Sequence, residues 1–263
     1  MNTFDKSLVR RSFDHASTRY NRFTALQRTI GDSLLSRFNV SPLQNHRTTL
    51  DIGSGTGYLS AQLSQQKDID TLYALDISAD MLQQTKMAMQ GLQCTQLVCA
   101  DAEQLPLCHS SVDAVYSNVA YQWCSDLPQA FRESLRVLKN EGVFVFSTFG
   151  EQTLFELKNA WSTIDDSIHV NDFMPADIIE RYLVDAGFKG VSVCYEDIVM
   201  YYPSPKDLML DLKGMGAHNI NEHRQKGLTG VGVYKSMLSA YELLRTDKGI
   251  PATFQAVYAY AQK

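Results

Sequence analysis

The segment Leu50-Asp51-Ile52-Gly53-Ser54-Gly55-Thr56-Gly57 constrains this chain more than any other. A short apolar run ends at Asp51 and Ile52, and three glycines at alternate positions then turn the backbone towards a helical segment. Glycine tolerates backbone angles closed to other residues and lets a ligand approach the main chain. The helix N-terminus behind such a turn favours a negatively charged ligand group. Two ligand classes fit: a dinucleotide pyrophosphate, or the carboxylate of a bound amino acid. The dinucleotide fingerprint requires G-x-G-x-x-G, whereas Tyr58 stands three residues after Gly55. Asp51 would repel a pyrophosphate and attract the ammonium of a methionine moiety.

Around this turn, apolar runs and helical patterns alternate. Strands are expected at 48–52, 71–76, 95–99, 112–117 and 143–148, with helices near 57–66, 79–90 and 127–138. Short apolar strands separated by helices indicate a parallel sheet covered on both faces. Helical stretches at 151–161 and 175–186 come next, then strands at 190–201 and 252–262. The intervening 203–249 is helix-rich and too long for a hairpin loop, which suits a lid or substrate-recognition insertion. Residues 3–38 carry apolar positions at helical spacing with a break near Ser17-Thr18, and a polar linker runs from Ser41 to Arg47. The expected organisation is one domain over 1–263. It has a helical lid at 1–40, a core at 48–202 and 250–263, and the insertion at 203–249.

Asp76 ends the second expected strand, about 20 residues beyond the turn, where an acid can accept ribose hydroxyls. Asp101-Ala102 stands after the third strand, placed to meet an adenine edge. Taken singly, Asp76 reads as a helix cap and Asp101 as a turn former. Together with Asp51 they stand at the carboxyl ends of successive strands, where doubly wound sheets bind ligands. The pattern resembles the class I S-adenosylmethionine-dependent methyltransferases. That resemblance implies a doubly wound, mostly parallel seven-stranded Rossmann-like α/β sheet ending in an antiparallel hairpin. It implies S-adenosylmethionine as cofactor and S-adenosylhomocysteine as product.

The acceptor is addressed by the segment after the fourth strand, Ser117-Asn118-Val119-Ala120-Tyr121-Gln122-Trp123-Cys124. Asn118 has no proline behind it, so the Asn-Pro-Pro-Tyr signature of amino methylation is absent. Gln122 and Trp123 read equally as capping and packing residues or as substrate contacts. SNVAYQWCSDL, RRSFDHASTRYNRFTALQ and FSTFGEQTLFELKNAW resemble the malonyl-acyl carrier protein O-methyltransferase family of biotin synthesis. So do HVNDF, LKGMGA, GLTG and the closing YELLRTDKGIPATFQAVYAYAQK, so that the likeness runs from about Ser12 to Lys263. Departures are Ser54, where relatives often carry Cys, and Asn140-Glu141-Gly142, where Pro-Gly is common.

The resemblance implies methylation of the free carboxylate of malonyl-acyl carrier protein, with malonyl-CoA as a possible surrogate. Tyr20, Gln122 and Trp123 are the candidate catalytic residues. Gln27, Asp51, Gly53, Ser54 and Gly55 are candidate cofactor contacts, as are Asp76, Ile77, Met81, Asp101, Ala102 and Asn118. Lys213 and His218 are candidates for the malonyl carboxylate. Two alternatives stay open: an enzyme on this scaffold acting on another carboxylic acid or a quinone-type acceptor, and a cofactor-binding regulatory protein without turnover.

Composition narrows the partners. A net charge of −5 disfavours nucleic acid, and no run of about 18 apolar residues could span a membrane. The polar start MNTFDKSLVRRSFDH lacks the apolar region of a signal peptide, so a cytoplasmic location is expected, as a monomer. The five cysteines show no C-x-x-C pair, which argues against disulfides or a metal site. Between Met1 and Arg37, seven Lys or Arg face three Asp, a local excess of +4. Arg10, Arg11, Arg19 and Arg22 form one basic patch suited to an acidic carrier protein, and Lys206, Lys213, Arg224 and Lys226 another.

Overall fold

Seven strands build one sheet: β1 (Thr48–Ile52), β2 (Thr71–Asp76), β3 (Thr95–Cys99), β4 (Val112–Asn118), β5 (Leu138–Phe149), β6 (Lys189–Tyr202) and β7 (Ile250–Gln262). A computed structural model describes residues 5–38, 47–66, 69–91, 95–165, 167–215 and 230–263, the side chain of Val231 excepted. The strand order is β3-β2-β1-β4-β5-β7-β6. The first five strands pair in parallel, while β7 runs antiparallel to both β5 and β6. The chain leaves β1 in one direction and resumes at β4 in the other, so the strand order reverses between them. Ligands of open α/β sheets bind at such a point, outside the carboxyl ends of the strands.

Apolar stripes at helical spacing cover both faces. On one face α2 (Ala25–Arg37) buries Leu26, Ile30 and Leu34, and α3 (Tyr58–Ser64) buries Leu59 and Leu63. On the other face α5 (Leu127–Val137) and α7 (Ala176–Ala186) bury Phe131, Val137, Ile179 and Leu183. There Tyr121, Phe131, Phe144 and Phe146 pack with ring centroids 4.7 to 5.8 Å apart. Such pairs add roughly 0.5–1.5 kcal/mol each beyond area burial, which gives the 121–124 turn a stiff support.

The strand expected at 143–148 begins earlier, at Leu138. Leu138 pairs with Val112, and the register then jumps to Val143 opposite Ala114. The intervening residues loop out, with Glu141 at φ 64° and Gly142 where a Cβ would lie 2.8 Å from the Lys139 carbonyl. A polar bulge of this kind breaks the alternation by which strands are read. The insertion before β7 contains α8 (Pro205–Gly214) and α9 (Val231–Glu242). Both pack on the α2 face through Leu208, Leu212, Met237 and Tyr241, alongside α6 (Phe155–Ser162).

Candidate active site

The glycine turn is locally determined. Gly53, Gly55 and Gly57 all take positive φ, at 72°, 55° and 88°. At Gly53 a Cβ would stand 2.3 Å from that of Ala120, so only glycine lets the β1 turn meet the β4 loop. The amides of Gly53 and Ser54 donate to the Leu75 carbonyl, which ties the turn to the end of β2. Asp76 completes this brace: its carboxylate accepts the Gly55 and Ser78 amides, each at 2.9 Å. Burial pushes the Asp76 carboxyl up to about 6, against the pull of those amides.

A cleft of about 710 Å³, open mouth included, lies over this brace. Its floor holds Gly53, Gly55, Asp76, Ile77 and Met81. Asp101 and Ala102 form one end, and Asn118, Val119 and Ala120 the other. The roof comes from α1 (Lys6–Ala16) and the 3-10 turn at Tyr20–Arg22, which contribute Lys6, Val9, Phe13 and Tyr20. Phe13 meets Trp123 edge-on at 5.4 Å and Tyr20 at 6.3 Å. Burial and the nearby Asp76 raise the Tyr20 hydroxyl, so Tyr20 stays protonated.

Ion pairing and hydrogen bonds fasten the roof. Lys6 Nζ lies 3.0 Å from Asp101 Oδ1 and 2.5 Å from Glu103 Oε1. Ser78 Oγ donates to Asp14 at 2.5 Å while accepting the Met81 amide as N-cap of α4 (Ala79–Ala88). At the opposite end Asn118 donates to the Gln27 carbonyl at 2.8 Å and accepts from Ser147 at 2.7 Å. Burial lifts the Cys124 thiol up to about 12, which keeps a nucleophilic thiolate out of the wall.

Of the residues singled out from sequence, the cleft brings together Tyr20, Trp123, Gly53, Gly55, Asp76, Ile77, Met81, Asp101, Ala102 and Asn118. Gln27, Asp51, Ser54 and Gln122 do not line it. Gln27 Nε2 contacts Met215 Sδ at 2.9 Å. Asp51 is buried and takes the Ser60 hydroxyl at 2.5 Å. Gln122 faces a neighbouring cavity, its amide donating to the Val119 carbonyl at 2.7 Å. Lys213 stands on α8, away from the cleft wall, and His218, Arg224 and Lys226 lie outside the described residues. Sequence reasoning missed Lys6, Val9 and Cys124 as wall residues. Lys6, Val9 and Phe13 recur at helical spacing, a signal that marks one face of α1.

A methionine-derived cofactor suits these residues on a physical test. Asp51 Oδ1 and Ser54 Oγ adjoin the cleft-lining Ile52, Gly53 and Gly55 along the chain and, like Gln27 Oε1, are buried without a hydrogen-bond partner among the described residues. Such atoms are costly unless a ligand satisfies them. Asp51 is pushed up to about 7, chiefly by burial, so an ammonium brought beside it would restore its charge. Among the described residues no cluster of His, Cys, Asp or Glu is placed to hold a metal ion, and no helix is long and apolar enough to cross a membrane.

Comparison with known proteins gives a consistent lineage. A methyltransferase domain family matches residues 50–146. The malonyl-acyl carrier protein O-methyltransferase of Gallionella capsiferriformans is 41% identical over 271 residues, spanning 100% of this chain and 93% of that protein. The chain belongs to the malonyl-acyl carrier protein O-methyltransferase family. Its likeness also extends to the biotin biosynthesis bifunctional protein BioHC of Cellvibrio japonicus, 39% identical over 97% of this chain but 49% of that longer protein. Among solved structures, the YcgJ protein of Bacillus subtilis superposes with a TM-score of 0.65 at 16% identity, covering 88% of this chain and 98% of that one. That structural likeness shows the shared fold alone; family membership rests on the full-length relatives.

Proposed function

We propose that this chain methylates the free carboxylate of malonyl-acyl carrier protein, using S-adenosylmethionine, in biotin synthesis. The cofactor, when bound, supplies an electrophilic methyl group and a fixed positive charge. The residues of the chain then have three tasks. Asp76, Asp101 and the glycine turn bind and orient the nucleoside and amino-acid ends. Phe13, Tyr20 and Trp123 keep water from the cleft. Asn118, held by the Gln27 carbonyl and Ser147, fixes the end of the wall next to Val119.

The observation that carries this reading is a cleft built for alignment and not for proton transfer. Among its described wall residues there is no histidine, and both carboxylates, Asp76 and Asp101, already accept donors. An acceptor carboxylate is ionised at neutral pH and needs no base. Alignment of two reactants can supply on the order of 7–11 kcal/mol of the barrier in favourable cases. Lys6, the cationic side chain in the described wall, is engaged by Asp101 and Glu103. The acceptor's negative charge is therefore matched by the cofactor's positive one.

The direct test is competition. Malonyl-carrier protein, malonyl-CoA and free malonate are offered together with methyl-labelled cofactor, and the products are resolved by mass spectrometry. Labelled ester on the carrier in preference to the other two is expected. Preferential ester on free malonate would move the acceptor to small acids, and bound cofactor without any labelled product would overturn the enzymatic reading.

A further inference from the structure

A second cavity adjoins the cofactor cleft. It lies between the 3-10 turn Tyr121–Trp123, the start of α5, the end of β5, residues 172–174 and α7. Tyr121 and Cys124 stand in the walls of both cavities. Tyr121 is a fixed post between them, because its hydroxyl bonds Ser134 at 2.7 Å and its ring is locked among Phe131, Phe144 and Phe146. Both cavities open at the carboxyl ends of the central strands, one at β1 and β2, the other beyond β4 and β5.

The second wall has a distinctive chemistry. Phe149, Phe173, Met174 and Tyr182 give it apolar surface. Gln122 and Thr148 give it a linked pair of polar groups, with Thr148 Oγ1 donating to Gln122 Oε1 at 3.1 Å. Gln122 Nε2 spends one hydrogen on the Val119 carbonyl and keeps a second, and the Thr148 oxygen keeps its acceptor capacity. This pair can therefore meet both the carbonyl and the N–H of an amide. No Lys, Arg or His among the described residues lines the cavity. Asp172 also lines it, with Lys158 Nζ 3.5 Å from its Oδ1, so a second carboxylate placed there would be repelled by Asp172 or compete with it for that lysine.

We infer that this cavity holds the pantetheine arm of the carrier-bound acceptor, with the thioester next to the Tyr121–Cys124 post and the malonyl carboxylate reaching past it into the cofactor cleft. The inference rests on malonyl-carrier protein being the acceptor. An uncharged chain of amides, methylenes and a gem-dimethyl group matches a wall whose apolar surface comes from Phe149, Phe173, Met174 and Tyr182 and whose neutral polar groups include the Gln122–Thr148 pair. Gln122 thereby becomes an acceptor-positioning residue, which accounts for its place outside the cofactor cleft.

The test uses the full chain and two malonyl thioesters, malonyl-pantetheine and S-methyl malonyl thioester, with free pantetheine as a binding probe. Native protein is expected to show a KM for the pantetheine ester about tenfold or more below that for the short ester. Met174→Trp, which fills the cavity, should raise the first KM about tenfold and leave the second within about twofold. It should also abolish the saturation-transfer NMR signal of free pantetheine while cofactor affinity by calorimetry is retained. Thr148→Val, a smaller change, should raise the pantetheine-ester KM several-fold, and it decides the matter if the tryptophan variant fails to fold. Unaltered KM and an undiminished NMR signal in both variants would overturn the assignment. If native protein methylates neither thioester, the acceptor reading falls, while disappearance of the pantetheine signal on filling the cavity would still mark the site.

Discussion

At the scale of single residues, the proposed recognition of the cofactor centres on carboxylates at strand ends. Asp76 holds the Gly55 and Ser78 amides and still presents acceptor lone pairs to the cleft. Asp76→Ala is expected to weaken S-adenosylmethionine binding by about 10- to 100-fold, since hydrogen bonds to charged groups contribute roughly 1.5–3 kcal/mol. Titration calorimetry reads this directly, with circular dichroism to confirm a retained fold, and unchanged affinity would remove the ribose role. The place of Asp76 and Asp101 on the cleft was legible in the sequence because each follows a short apolar run; Asp51 stands in the same kind of position but does not line the cleft. Lys6 was not legible as a cleft residue, because its partner Asp101 lies 95 positions away and only the fold joins them. Gln122 was singled out in the sequence as a candidate acceptor contact, but its place in the wall of the second cavity was not legible there.

At the scale of elements, α1 is a cover fastened at three points: Lys6 to Asp101 and Glu103, Asp14 to Ser78, and Phe13 to Trp123. Its exposed side carries Arg10 and Arg11, with Arg10 only loosely paired to Asp14 at 3.9 Å. The fastening residues lie inward and the arginines outward, so the basic patch read from the sequence as suited to an acidic carrier is separate from the face of α1 on the cleft. Lys6→Ala should speed amide hydrogen exchange across residues 9–16 about tenfold while leaving β4 unchanged. Equal protection in the variant would mean that α1 is held by its aromatic contacts alone. The helices were readable from periodicity, and the break after Ala16 fell where the sequence suggested. The start of β5 was not readable, since its bulge at 139–142 places polar residues and Gly142 inside a strand.

At the scale of the whole molecule, the binding site is held at a cost to stability that depends on pH. Asp51 and Asp76 have folded-state values near 7 and 6, both raised from 3.8 chiefly by burial. A raised carboxyl binds protons more tightly in the folded state. Its contribution to stability is thus fully present below about pH 4 and is lost as pH rises through about 7. The cofactor-free protein should therefore melt at lower temperature at about pH 8 than at about pH 6, and Asp51→Asn should flatten that slope. A slope identical in the variant would show that Asp51 does not titrate in this window. The sheet's architecture was legible from strand-helix alternation and the two late strands, but the pairing of β7 between β5 and β6 is a matter of long-range register. That pairing has a consequence for biosynthesis. Within the sheet β6 hydrogen-bonds to β7 alone, and β7 is translated some way after it, beyond the whole 203–249 insertion. A nascent chain that has emerged only as far as α9 exposes the long β6 ribbon and one side of β5, both open to mispairing. Closure of the sheet must wait until residues 250–262 have emerged, so a chaperone that shields those edges in the interval is expected to raise the yield of folded molecules.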